Sequence, residues 1–119
     1  RDIKQKRLIV LFGCGGDRDK SKRAEMGRVA TDIADLAIIT DDNPRTENSA
    51  QIRQNIIIGC DKEKIIEIDG RKNAIGKAIS ILQKGDILIV AGKGHEDYQI
   101  IGEQKFSFDE KKIIKNFLN

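Results

Sequence analysis

Short apolar, partly β-branched runs alternate with one-faced helical segments along most of this chain, and that alternation limits the folds open to it. Leu8-Ile-Val-Leu-Phe12 and Leu36-Ala-Ile-Ile-Thr40 are continuous enough for strands covered on both faces, as in a parallel sheet. Lys64–Ile68 and Asp86–Ala91 repeat the theme. Between the first two, the spacing predicts a helix from Lys20 or Ser21 to Asp35 that buries Met26, Val29, Ala30 and Ile33. A second helix begins at a cap on Asn48 or Ser49 and runs to about Ile58, with Ile52 and Ile56 one turn apart. A third covers Arg71–Lys84 through Ile75, Ala78, Ile79 and Leu82, with Gly85 as its stop.

The last part changes character. Tyr98–Ile101 and Gln104–Phe108 flank Gly102-Glu103, a hairpin signal, and Asp109 caps a final amphipathic helix. The order is βαβαβαβ, then a hairpin and a helix. Because right-handed crossovers return each strand beside its neighbours, this is an α/β fold: a Rossmann-like, mostly parallel sheet with helices on both faces and a C-terminal β-hairpin plus helix. With 119 residues there is room for one domain, residues 7–119, behind a polar leader at 1–6.

Composition narrows the partners. The 22 basic and 19 acidic residues are mixed along the chain, and it has four Phe, one Tyr and no Trp, so no basic stripe or stacking platform for nucleic acid is expected. No apolar run approaches the roughly 20 residues of a membrane helix, and no secretion signal is visible, so the expected location is the cytoplasm with no membrane partner. Cys14 and Cys60 fit neither a zinc spacing nor a disulfide framework and are read as reduced. Lys20–Arg28 and Asp61–Lys64 read as solvated faces.

Ligands on such sheets sit beyond the carboxyl ends of the strands. The loop Gly13-Cys14-Gly15-Gly16-Asp17-Arg18-Asp19-Lys20 offers bare amides and a helix start to a phosphate or carboxylate. It is not the dinucleotide fingerprint, because Arg18 occupies the third glycine's place, and no triphosphate-binding Gly-Lys-Ser/Thr loop occurs. Asp42-Asn43-Pro44-Arg45 closes the second strand; Pro44 stiffens it and Arg45 presents a planar fork suited to a carboxylate. Gly92-Lys93-Gly94-His95-Glu96-Asp97 follows the fourth strand, where Glu96 and a glycine carbonyl can accept from an ammonium. His95 has no partner in sequence and is not read as catalytic. Together the loops suit a zwitterionic amino acid.

At these residues the chain resembles the C-terminal domain of the Mur ligases, in particular of those that add meso-diaminopimelate. Three motifs carry the resemblance in order and at the family's spacing: Gly-Cys-Gly-Gly-Asp-Arg-Asp-x-x-Lys-Arg at 13–23, Asp-Asn-Pro-Arg at 42–45 and Gly-Lys-Gly-His-Glu at 92–96. The resemblance implies an ATP-dependent ligase of peptidoglycan synthesis that joins meso-diaminopimelate to UDP-MurNAc-L-Ala-D-Glu through an acyl phosphate. By motif it implies Asn43 and Arg45, within Asp42–Arg45, at the distal end of the amino acid, with Glu96 and the Gly92 carbonyl on its ammonium. It further implies Arg18 on another carboxylate and Asp17 toward the ATP ribose, while Lys22 and Arg23 match the motif without a role.

The family's phosphate loop, carbamylated lysine and magnesium ligands belong to a central domain, and its UDP-sugar pocket to an N-terminal one. The resemblance therefore implies no catalytic or metal-binding residue in this chain, ATP and Mg2+ held mainly elsewhere, and no activity from the domain alone. The competing reading is a stand-alone mononucleotide- or amino-acid-binding α/β module. A receiver-like phosphoacceptor draws on Asp41-Asp42 and Lys93, but the Gly13–Gly16 loop has no place in it.

Overall fold

The computed structural model describes residues 7–17, 19–91, 98–101, 104–107 and 110–118. Its core is a parallel sheet of β1 (Leu8–Phe12), β2 (Leu36–Ile39), β3 (Ile65–Glu67) and β4 (Ile87–Val90), in the order β3-β2-β1-β4. Val10 of β1 lies opposite Ala37 of β2 on one side and Ile89 of β4 on the other. The connections run outward from β1 to β3 and then return to β4, so the switch in strand order falls between β1 and β4. The carboxyl ends there are where ligands enter such sheets.

Helices α1 (Arg23–Ile33) and α2 (Ser49–Ile57) cover one face, where Ala30, Ile52 and Ile56 meet Phe12, Ala37 and Ile39. Helix α3 (Arg71–Ile81) covers the other, setting Ala74, Ile75 and Ala78 against Ile9, Leu11 and Ile38. Helix α4 (Glu110–Leu118) adds Ile113 and Ile114 to that second cluster. Each fully buried Ile or Leu contributes about 1.5–3 kcal/mol, which is why the continuous apolar strands dictate a sheet covered twice. β5 (Tyr98–Ile101) and β6 (Gln104–Ser107) pair antiparallel as a separate hairpin. The α/β class and the element order agree with the sequence reading, but β4, expected to be buried, lies at the sheet edge with Ile87 and Ile89 exposed. Among the described residues no helix is long and apolar enough to cross a membrane.

Three local expectations are corrected. Helix α1 is shorter than 20–35, and its inward face is Arg23, Gly27, Ala30 and Thr31, while Met26, Val29 and Ile33 are exposed. Size decides this: α2 comes so close that a Cβ on Gly27 would lie 2.3 Å from the Ile56 carbonyl oxygen. Arg23, inside the run read as a solvated face, is 2% exposed. Helix α3 ends at Ile81 with an extended Leu82, so Gly85 (φ 93) turns the following loop rather than stopping the helix. Asn48 does cap α2, its side chain accepting from the Gln51 amide at 3.0 Å. The Gly102-Glu103 turn and the Asp109 cap lie outside the described residues.

Candidate functional site

Beyond the ends of β1 and β2, the two neighbouring loops lock together. A Cβ on Gly16 would fall 1.8 Å from the carbonyl oxygen of Pro44, so the first loop needs glycine where the second crosses it. The Gly16 amide donates to the Asn43 carbonyl at 2.6 Å. In return, Arg45 Nη1 donates to the carbonyls of Gly16 at 3.1 Å and Asn43 at 3.3 Å. The sequence reading set these loops at one edge of the sheet, beyond the carboxyl ends of the strands, and the structure joins them by hydrogen bonds.

Arg45 is half-buried and left-handed, with φ 53. Its Nε and Nη2 make no hydrogen bond to the described residues. Asn43 is 2% exposed, Pro44 is buried and Asp42 is half-buried. Asp17 is exposed and also left-handed, with φ 56. Its Oδ2 accepts from the Thr46 hydroxyl at 2.6 Å and the Thr46 amide at 3.1 Å. Those two bonds hold the Asp17 carboxyl below its ordinary value.

Under this pair of loops lies a charged clasp that sequence reasoning missed. Arg23 Nη1 and Nη2 donate to the two Glu47 carboxylate oxygens at 2.7 and 3.0 Å. They also reach the Gly15 carbonyl at 2.8 Å and Asn55 Oδ1 at 3.0 Å. Glu47 in turn accepts from the Asp17 amide at 3.1 Å. The Arg23 guanidinium holds the Glu47 carboxyl down to about 2. The available signal was Arg23 standing four residues before Gly27, on the face where a helix approaches closely.

A second buried set anchors the other end of the loop. Asp41 accepts from Arg53 Nη1 at 2.6 Å and from the Gly70 amide at 2.8 Å, so both its oxygens are engaged. That commitment removes the acidic pair on which a receiver-like site would depend. Arg71 donates to the carbonyls of Asp41 and Ala91, at 3.3 and 2.9 Å. Burial pushes the thiols of Cys14 and Cys60 up, and both are free. Among the described residues no group of three or more His, Cys, Asp or Glu could hold a metal ion.

Arg18, Gly92 and Glu96, with Lys93, Gly94, His95 and Asp97, lie outside the described residues. A cavity of about 560 Å3 opens on the flank of α1, lined by Val10, Phe12, Met26, Val29, Ile33 and Ala91 among others. None of Asp42–Arg45 lines it, while Lys22 and Glu25 do.

Comparison with known proteins turns this geometry into a family. The family model described as "Mur ligase, glutamate ligase domain" matches residues 1–94. The chain belongs to that family. It is 48% identical, over 99% of its length, to the UDP-N-acetylmuramoyl-L-alanyl-D-glutamate--2,6-diaminopimelate ligase of Clostridium tetani, of which it covers 24%. The enzyme of the same name from Rickettsia felis is 50% identical over 98% of this chain and 22% of its own. A solved structure of such a ligase matches 94% of this chain with TM-score 0.90 and 41% identity, and the match covers 23% of that protein. The chain thus spans about a quarter of the length of these Mur ligase relatives.

Proposed function

We propose that residues 7–119 form the amino-acid-binding domain of an ATP-dependent ligase that joins meso-diaminopimelate to UDP-MurNAc-L-Ala-D-Glu in peptidoglycan synthesis. The observation that carries this reading is Arg45, a fork suited to a carboxylate, fixed through one nitrogen to the neighbouring loop while Nε and Nη2 make no hydrogen bond to the described residues. The relatives whose names specify diaminopimelate support it.

In this reading Arg45, with Asn43 beside it and Asp42 and Pro44 shaping the loop, takes the distal carboxylate that distinguishes diaminopimelate from lysine. Glu96 and the Gly92 carbonyl take the distal ammonium, and Arg18 takes a further carboxylate. Asp17 faces the ATP ribose with the oxygen that Thr46 leaves open. ATP phosphorylates the D-glutamate side-chain carboxylate. The amine attacks that acyl phosphate, and the tetrahedral adduct expels phosphate and loses a proton to give the amide. This domain's share is to hold the amine in place, a matter of orientation rather than proton transfer. The chain spans about a quarter of the length of its relatives, so ATP and its Mg2+ are assigned mainly to other domains of a longer protein, and the domain alone is expected to form no product.

A ligation assay of the full-length protein with diaminopimelate and with lysine, wild type beside Arg45→Ala, tests the assignment. A site that hydrogen-bonds a charged group rejects an analogue lacking it by on the order of 10^4. That preference should collapse in the variant. Equal use of the two amino acids by the wild type would overturn the reading.

A further inference from the structure

Arg23 is a buried charged residue of the 13–23 motif without a role in the reading above, and its surroundings supply one. It leaves the first turn of α1, is 2% exposed, and spends its two Nη atoms on four acceptors. Two acceptors are the Glu47 oxygens, just past Arg45; one is the Gly15 carbonyl, just before Asp17; and one is Asn55 of α2. None belongs to the sheet, and Arg23 is in neither apolar cluster that holds the sheet between its helices.

We propose that Arg23 is the positioning residue of the amino-acid site: by gripping Glu47 and Gly15 together it holds Arg45 and Asp17 in the left-handed backbone that aims their side chains. The inference rests on the reading of Asp42–Arg45 as that site. A non-glycine residue in this conformation drifts away unless its neighbours over-determine it. Here they are over-determined from below. Glu47 is held by Arg23 and itself holds the Asp17 amide, while the Asp17 carboxylate holds Thr46. Arg45 and Asp17 thus flank a set of bonds that converges on one guanidinium. Lysine cannot reproduce the grip, because a single ammonium is a point charge and the four acceptors are set around a planar fork. Arg23 Nε has no partner among the described residues, so the side chain is arranged around its two terminal nitrogens.

The test uses the 119-residue chain, isotope-labelled, as wild type, Arg23→Met, Arg23→Lys, Glu47→Gln and the control Arg28→Met. Arg28 lies on the exposed side of α1 in an ion pair with Asp32, so its loss changes helix charge and nothing at the loops. Backbone carbon shifts of Arg45 and Asp17 report the sign of φ without any ligand. Titration with meso-diaminopimelate and with lysine reports affinity and preference.

The expected result for Arg23→Met is unchanged shifts at Ile9 and Ile38, movement of the Arg45 and Asp17 shifts out of the left-handed range, and a loss of diaminopimelate affinity between about tenfold and a hundredfold. Arg23→Lys should fall between, and Arg28→Met should match wild type. If Arg23→Met does not fold, Arg23→Lys and Glu47→Gln decide by the same readouts. Folded variants with wild-type shifts at Arg45 and Asp17 and wild-type affinity would overturn the proposal. Wild type that binds no diaminopimelate would instead sink the substrate reading, leaving the positioning role to be judged on the shifts alone.

Discussion

The Arg71 guanidinium reaches from the first turn of α3 to the carbonyl of Ala91, 2.9 Å away, and also touches the Asp41 carbonyl at 3.3 Å. With β1 lying between β2 and β4, one side chain ties the exits of the two flanking strands, at Asp41 and Ala91. Truncation would leave two carbonyls without this donor at a position 1% exposed. Arg71→Met should therefore cost about 2–6 kcal/mol, since each of the two buried polar groups left unsatisfied costs about 1–3 kcal/mol. Urea unfolding of the domain measures it, and a variant as stable as wild type would refute the bridging role.

Acid should weaken the fold through two carboxylates. Glu47 beside Arg23 and Asp86 beside Arg7 are each held down to about 2, from ordinary values of 4.5 and 3.8. Both bind protons more weakly folded than unfolded, so the stability they contribute is complete above about pH 4.5 and is lost as pH falls toward about 2. Thermal melts should be flat at higher pH and fall across that window. Glu47→Gln should lower the plateau and flatten the fall, because its carboxylate no longer titrates. An unchanged slope in that variant would remove Glu47 from the account.

What was legible in the sequence follows from what hydrophobic patterning measures. Strands buried on both faces are apolar throughout, so β1 and β2 and their order with the helices could be read directly, and β4 was read from the same apolar run although its Ile87 and Ile89 are exposed at the sheet edge. Helix α1 was turned the wrong way because its buried residues are small, not apolar: Gly27, Ala30 and Thr31 lie inside so that α2 can approach, while the larger Met26, Val29 and Ile33 stay outside. At the site, strand ends announced that Gly13–Lys20 and Asp42–Arg45 would lie at one edge of the sheet. The Arg23–Glu47 clasp stayed hidden because its members are 24 positions apart and each alone looks like a solvated charge. Asp41 was misleading for the same reason, since Arg53 comes from the next helix.

Arg45 itself offers a separation of stability from function. At φ 53 it occupies a conformation that costs an ordinary residue about 1–2 kcal/mol and glycine nothing. Arg45→Gly relieves that strain and gives up the bonds of Nη1 to Gly16 and Asn43, each contributing about 0.5–1.5 kcal/mol net. The two effects nearly cancel, so the variant should unfold within about 1 kcal/mol of wild type while losing its preference for diaminopimelate over lysine. Arg45→Val, β-branched and ill suited to the left-handed region, should lose the same preference and also be destabilised. Chemical unfolding and amino-acid titration of the three chains check both halves. If glycine proved as destabilising as valine, strain at this position would not be part of how the loop aims its guanidinium.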